Sequence, residues 1–301
     1  MRRRRLSLAF LAGLASAVLS MPASAGPPAN QIVESHGHKI AYQVYPGRQP
    51  AIVLDAGGGN DSTYWASLIP ELSKATGSEI ITYDRSGFGG SEEAPGPWNV
   101  MTARDDLVAV LKANHATRKV VLASHSLAGE IALYATQAHP DWFTGVVMVD
   151  ANIPQFYTEP GIKAAAASYA PVIAQLKAAP PTPSGRQLLA LSASFEETSR
   201  AFHKARWPTA VPVLVIVSEA TPMEDAFLAN LWRNSHAEFA KGAPNRTLIT
   251  AAHSSHDVAH DRPDIVTKAV QDLVAKARQK PCRPPSRLAT CAASRQRNRL
   301  G

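Results

Sequence analysis

Ser126 lies in Ser124-His125-Ser126-Leu127-Ala128-Gly129. Before it runs the β-branched and apolar stretch Val120 to Ala123; after it an apolar-periodic segment begins with Ile131, Leu133, Tyr134 and Ala135. The first reads as a buried strand and the second as the start of a buried helix. A strand that turns sharply into a helix around small-x-Ser-x-Gly lifts the serine Oγ clear of the backbone. The new helix N-terminus then points N–H groups at the reacting atom. Neighbours two before and two after the serine must be small for strand and helix to approach. Ser124 stands where the usual pattern has glycine. The chemistry on offer is nucleophilic catalysis by a hydroxyl.

Such a serine needs a base, an orienting acid and donors for a developing oxyanion. Candidates for each follow predicted strands. Ala51 to Asp55 is a continuous apolar strand that runs into Ala56-Gly57-Gly58-Gly59-Asn60. Glycines there let the backbone approach a ligand closely, and a backbone N–H could face an oxyanion. The run lacks G-x-G-x-x-G and a Lys-Ser/Thr ending, which argues against a phosphate loop. Asp150 and Glu219 follow the strands Gly145 to Val149 and Val211 to Val217. Three histidines, His253, His256 and His260, follow the strand Arg246 to Thr250. No Cys and His spacing suits a metal, so no metal or cofactor is expected.

The elements that must position these residues alternate. His38 to Tyr45 reads as an edge strand, Thr63 to Lys74 as helical, and Glu79 to Asp84 as a strand. Val100 to Asn114 is an amphipathic helix, Met223 to Lys241 is helical, and Pro263 to Lys276 closes the chain with Pro at its start. This pattern predicts an α/β fold: a mostly parallel central sheet with helices on both faces. In such sheets ligands bind beyond the carboxyl ends of the strands. Residues 152–207 interrupt the alternation with Ala runs, prolines and scattered aromatics, and read as short helices forming a lid insertion.

The 301 residues can hold one large domain, expected over 26–280. The formal charge of +7 is concentrated at the ends. Arg2 to Arg5 and the eight basic residues of Lys276 to Gly301 leave 19 basic against 24 acidic residues in 6–275. A mildly acidic body gives no nucleic-acid footprint. Residues 281–301 read as a basic, disordered tail, which carries Cys282 and Cys291, free to pair in an oxidising compartment. Arg2 to Arg5, the apolar Leu6 to Leu19 and Ala23-Ser24-Ala25 read as a signal peptide over 1–25. The apolar run is short for a stable membrane span. An exported protein, periplasmic or secreted, is therefore expected.

Four motifs together resemble the α/β-hydrolase superfamily: VLDAGGG, YDRSGFGGS (similar to D-x-x-G-x-G-x-S), SHSLAG and HDVAHDRPDIV. The resemblance spans Ile52 to Asp150 and Pro212 to Lys276. It implies a serine hydrolase in which Ser126 attacks a carbonyl and the backbone N–H groups of Gly58 and Leu127 form the oxyanion hole. The family's base stands seven residues before the proline of the last helix, which selects His256. Its acid usually follows the strand Val211 to Val217, where Thr221 stands. Some members draw it from the place of Asp150, which is preferred over Glu219. The implied activity is cleavage of a carboxylic ester of a small-molecule acyl substrate, without a cofactor. The alternatives are a lactonase, amidase, peptidase or perhydrolase, or a non-catalytic exported binding protein. For export, N-terminal sequencing of secreted material is expected to begin at Gly26; retention of Met1 would refute it.

Overall fold

The computed structural model describes residues 27–279. The signal-peptide expectation for 1–25, and the tail with Cys282 and Cys291, lie outside the described residues. In chain order come β1 (Gln31–Ser35), β2 (His38–Tyr45), β3 (Arg48–Asp55), a 3-10 turn (Ser62–Trp65), α1 (Ile69–Thr76) and β4 (Ser78–Tyr83). Then follow α2 (Val100–Ala113), β5 (Val120–His125), α3 (Ala128–Ala138) and β6 (Phe143–Val149). After a 3-10 turn (Pro154–Phe156) come α4 (Glu159–Ala178) and α5 (Pro183–Lys204). The chain closes with β7 (Val213–Ser218), α6 (Ala226–Lys241), β8 (Arg246–Ala251), α7 (Val258–Asp261) and α8 (Pro263–Gln279).

The eight strands form one sheet, ordered β1-β2-β4-β3-β5-β6-β7-β8. β1, β2 and β4 pair antiparallel; every other neighbour is parallel. The inner parallel strands β5, β6 and β7 are apolar on both sides, as a doubly covered sheet requires, whereas the edge strand β8 leaves Thr247, Leu248 and Thr250 exposed. Along β3, β5 and β6, Val53, Leu122 and Met148 face a core with Leu107 of α2, Ile131 of α3 and Trp232 of α6. Leu54, Ala123 and Val147 face the other core, with Leu72 of α1 and Leu273 of α8. Each such large side chain stabilises the fold by about 1.5–3 kcal/mol.

Three expectations change. The sheet edge is β1, and His38 to Tyr45 is the second strand. A hairpin joins them through His36 (φ 46°) and Gly37 (φ 82°), with Ser35 paired to His38. Positive φ at both central residues suits the right-handed twist of the flanking strands. The segment Thr63 to Lys74 is a 3-10 turn followed by the shorter α1. The expected short helices of 152–207 are two long ones, α4 of 20 residues and α5 of 22. The prolines mark starts as well as breaks: Thr158 and Thr182 cap the two helices through Gly161 N and Gly185 N, with proline in each first turn. Only Pro171 lies inside, in the exposed middle of α4. Among the described residues no helix is long and apolar enough to cross a membrane.

Candidate active site

The chain turns from β5 into α3 at Ser126, whose φ of 53° is a strained value for a residue with a side chain. The carbonyl of Ser126 accepts from Asn152 N (2.8 Å) and Gly129 N (3.0 Å), which hold the turn against the segment after β6. The second small position is filled by Ala128, which is buried; Gly129 is one residue further on. Gly129 carries the steric need, because a Cβ there would lie 2.2 Å from the Asn152 carbonyl oxygen.

The glycine loop after β3 passes beside this turn. A Cβ on Gly57 would lie 2.6 Å from His125 Nδ1 and 3.0 Å from Ser126 Cβ. On Gly58 it would meet only the Leu127 side chain, at 3.5 Å, so the close approach falls on Gly57. Among the described residues the backbone N–H groups of Gly58 and Leu127 have no protein acceptor. Arg85, buried after β4, donates to the carbonyls of Ala56 and Gly57 and to Asp55 Oδ1 (3.0 Å). A planar trans peptide sets C=O and N–H on opposite sides. Drawing the Gly57 carbonyl to Arg85 therefore turns the Gly58 N–H away from the guanidinium. Sequence reading missed Arg85, although it lies inside YDRSGFGGS.

Asp150 directly follows β6, has φ 41° and is fully buried. Its Oδ2 lies 2.7 Å from His256 Nδ1. Ser218 N (3.0 Å) and Trp232 Nε1 (2.9 Å) donate to Oδ1, and Ser218 Oγ (2.7 Å) donates to Oδ2. Burial alone would raise this carboxyl. The His256 hydrogen bond, the charge of His236 and the remaining donors outweigh burial and hold it below the ordinary value. An ionised carboxylate only accepts, so His256 carries its proton on Nδ1 and leaves Nε2 free. Glu219 is not part of this pair. Its Oε2 accepts from His253 N (2.6 Å), and both side chains are exposed. His260 stacks edge-on against Tyr64. Buried His125 donates Nε2–H to the His256 carbonyl (3.1 Å) and stacks on Tyr64; burial, then His256, push it down to about 3, so it is neutral. Thr221, at the usual acid position, hydrogen-bonds the Met223 carbonyl.

A second Ser, His and Asp cluster exists, in which His38 Nε2 is 3.0 Å from Ser86 Oγ and 3.2 Å from Asp106 Oδ2. Ser86 Oγ also donates to Asp106 directly, at 2.6 Å. A proton relay needs one ring nitrogen for the serine and the other for the acid. Here one nitrogen faces both, and Nδ1 has no partner. The cluster ties α2 to the loop that bears Arg85. Among the described residues no group of three or more His, Cys, Asp and Glu is placed to hold a metal.

A cavity of about 600 Å³ opens at Ser126, Gly58 and Leu127 and runs under α4 and α5, where Val172, Ile173 and Leu191 line it. A mostly parallel sheet that gathers a strained serine and a histidine–aspartate pair beyond its carboxyl edge defines an α/β-hydrolase class of protein. Residues 52–269 match the Alpha/beta hydrolase family, and the chain belongs to it. The uncharacterized protein YqjL of Bacillus subtilis is 25% identical over 229 residues, 76% of this chain and 85% of its own. A putative carbamate hydrolase, RutD of Caulobacter segnis, is 31% identical over 119 residues, 39% of this chain and 41% of its own. Bromoperoxidase from Bacillus anthracis matches the fold with TM-score 0.63 at 17% identity, over 82% of this chain and 100% of that one. An esterase from Exiguobacterium antarcticum matches with TM-score 0.60 at 16% identity, over 83% and 100%.

Two buried acids hold protons unusually well. Burial lifts Glu130 of α3 to about 7, against donation from Asn152 and Tyr157. Burial lifts Asp55 to about 6, with the charge of Arg85 opposing. Both bind a proton more tightly folded than unfolded. Their contribution to stability is therefore complete below the ordinary carboxylate values and is lost as pH rises through about 6 and about 7. Glu130→Gln should flatten the fall in Tm between pH 5 and 8 and gain stability at pH 8, by at most about 3 kcal/mol. Thermal melts across that range check this; an unchanged slope in the variant would contradict it.

Proposed function

We propose that this hydrolase cleaves a carboxylic ester through an acyl-enzyme on Ser126. The observation that carries the reading is the 2.7 Å contact of His256 Nδ1 with buried Asp150 Oδ2, at the sheet edge that also bears Ser126. Ser126 Oγ attacks the ester carbonyl carbon as His256 Nε2 takes its proton. The tetrahedral oxyanion is held by the N–H groups of Leu127 and Gly58, the latter oriented by the grip of Arg85 on the Gly57 carbonyl. His256 returns the proton to the leaving alcohol. Water then attacks the acyl-enzyme with His256 again as base. Asp150 keeps the proton on Nδ1 and stabilises the imidazolium. The pair α4 and α5 serves as a lid over an apolar chamber for a small or medium acyl group. Export through residues 1–25 belongs to the same proposal and would put this activity in the periplasm or medium.

The reading expects His256→Ala to lower kcat by about three orders of magnitude or more, and Asp150→Asn by about four. Glu219→Gln, His253→Ala and His260→Ala should stay within a few-fold. Hydrolysis of p-nitrophenyl butyrate by folded variants measures this. Near-normal turnover in Asp150→Asn with a severe loss in Glu219→Gln would reassign the acid. An inactive His253→Ala would reassign the base.

A further inference from the structure

The cavity at Ser126 contains an acid that ester cleavage does not use. Glu130 lies on the first turn of α3, lines the cavity and is 4% exposed. Its Oε1 accepts from Asn152 Nδ2 (2.8 Å), and the Tyr157 hydroxyl is its other donor. Both donors are neutral. Among the described residues no Lys, Arg or His pairs with it. Arg200, the cation on the same cavity, is taken by Glu159 and Glu196. A buried carboxylate without a counter-charge is costly, which is why burial pushes this one up to about 7.

The surroundings say what would complete it. Trp98, Tyr157, Tyr169 and Phe195 line the same cavity. Phe195 stands edge-on to Tyr169 at 5.6 Å and to Tyr157 at 6.3 Å between ring centroids. Aromatic faces attract a desolvated cation, and an acceptor carboxylate adds its charge. Val172, Ile173, Leu176, Leu188 and Leu191 add aliphatic surface suited to the carbon skeleton of an organic ion, and Glu196 and Glu197 on α5 add negative charge to the same cavity. A neutral acceptor ligand would need Glu130 as a donor, yet its two partners already donate to it.

We propose that the cavity binds an organic cation: the part of the ester that enters it carries a substituted ammonium, seated against Glu130 and the aromatic faces while the carbonyl lies at Ser126. The position of the carbonyl rests on the serine-hydrolase reading; the cation site does not. The titratable groups facing Glu130 are Tyr134 on α3, Tyr157 after β6 and Tyr169 on α4. All three are raised, first by desolvation and then by Glu130, and stay neutral at pH 8, where Glu130 is ionised.

The test uses butyrylcholine and its uncharged carbon isostere, 3,3-dimethylbutyl butyrate. Each is titrated at pH 8 into full-length protein carrying Ser126→Ala to block turnover, with and without Glu130→Gln, and followed by tryptophan fluorescence. The cation should bind about tenfold or more tighter than its isostere. Glu130→Gln should bring the two to near parity and leave the neutral ester within about twofold. Equal affinities before Glu130 is changed, no binding of the cation, or a preference that survives Glu130→Gln would overturn the proposal. So would tighter binding of the neutral ester that Glu130→Gln abolishes, the sign of a carboxyl donor site. Cleavage of p-nitrophenyl butyrate without cation preference would sink this inference alone. Cation preference without any turnover by the wild type would sink the serine reading alone.

Discussion

The Asp150 carboxylate is the constraint on which the site depends. It is fully buried and ionised, and desolvating such a charge costs several kcal/mol unless donors replace the lost water. The donors come from three places far apart in sequence: Ser218 at the end of β7, Trp232 on α6 and His256 beyond β8. Satisfying one carboxylate thus fixes two strand ends and a helix. It also fixes the tautomer and ring orientation of His256. His125 holds the same residue from the other side through its backbone carbonyl, so the imidazole is gripped at ring and main chain together.

A second grip acts on the opposite side of Ser126. Arg85 engages the Ala56 and Gly57 carbonyls, and peptide planarity turns the Gly58 N–H away from it. The loop that bears Arg85 is itself braced. Ser86 donates to Asp106 of α2, and Asp84 accepts from Ser62 N and Gly90 N. The helices thus do more than cover the sheet; they set the direction of backbone groups at its edge. Close approach makes the same demand on composition, since Gly57 has no room for a Cβ against His125 and Ser126.

Much of this is legible in the residues. Alternation of apolar strands with amphipathic helices specifies the sheet, and the buried runs at Val120 and Gly145 specify its centre. What escaped depends on contacts between distant residues or on local chemistry with two meanings. His36-Gly37 is a hairpin turn in which a histidine, not the usual asparagine or aspartate, takes the first positive φ. Pro160 and Pro183 look like helix breakers, but in a first turn proline lacks only an N–H that would be unpaired anyway. The small-residue pattern around Ser126 is shifted by one, because α3 packs through Gly129 against Asn152. No spacing rule reveals that Trp232 and Ser218 meet Asp150, or that Glu130 is buried without a cation. Thr221 at the usual acid position directs the choice of acid towards Asp150, and Glu219 Oε2 accepts from the His253 backbone N–H.

The central claim is that the geometry around Ser126 makes this one hydroxyl a nucleophile. Reaction with a serine-directed fluorophosphonate, followed by intact mass and peptide mapping, addresses it directly. The account predicts one adduct per chain, on the peptide containing Ser126, absent in Ser126→Ala and formed far more slowly in Asp150→Asn. No adduct on folded protein, or an adduct on Ser86 of the second Ser, His and Asp cluster, would contradict it.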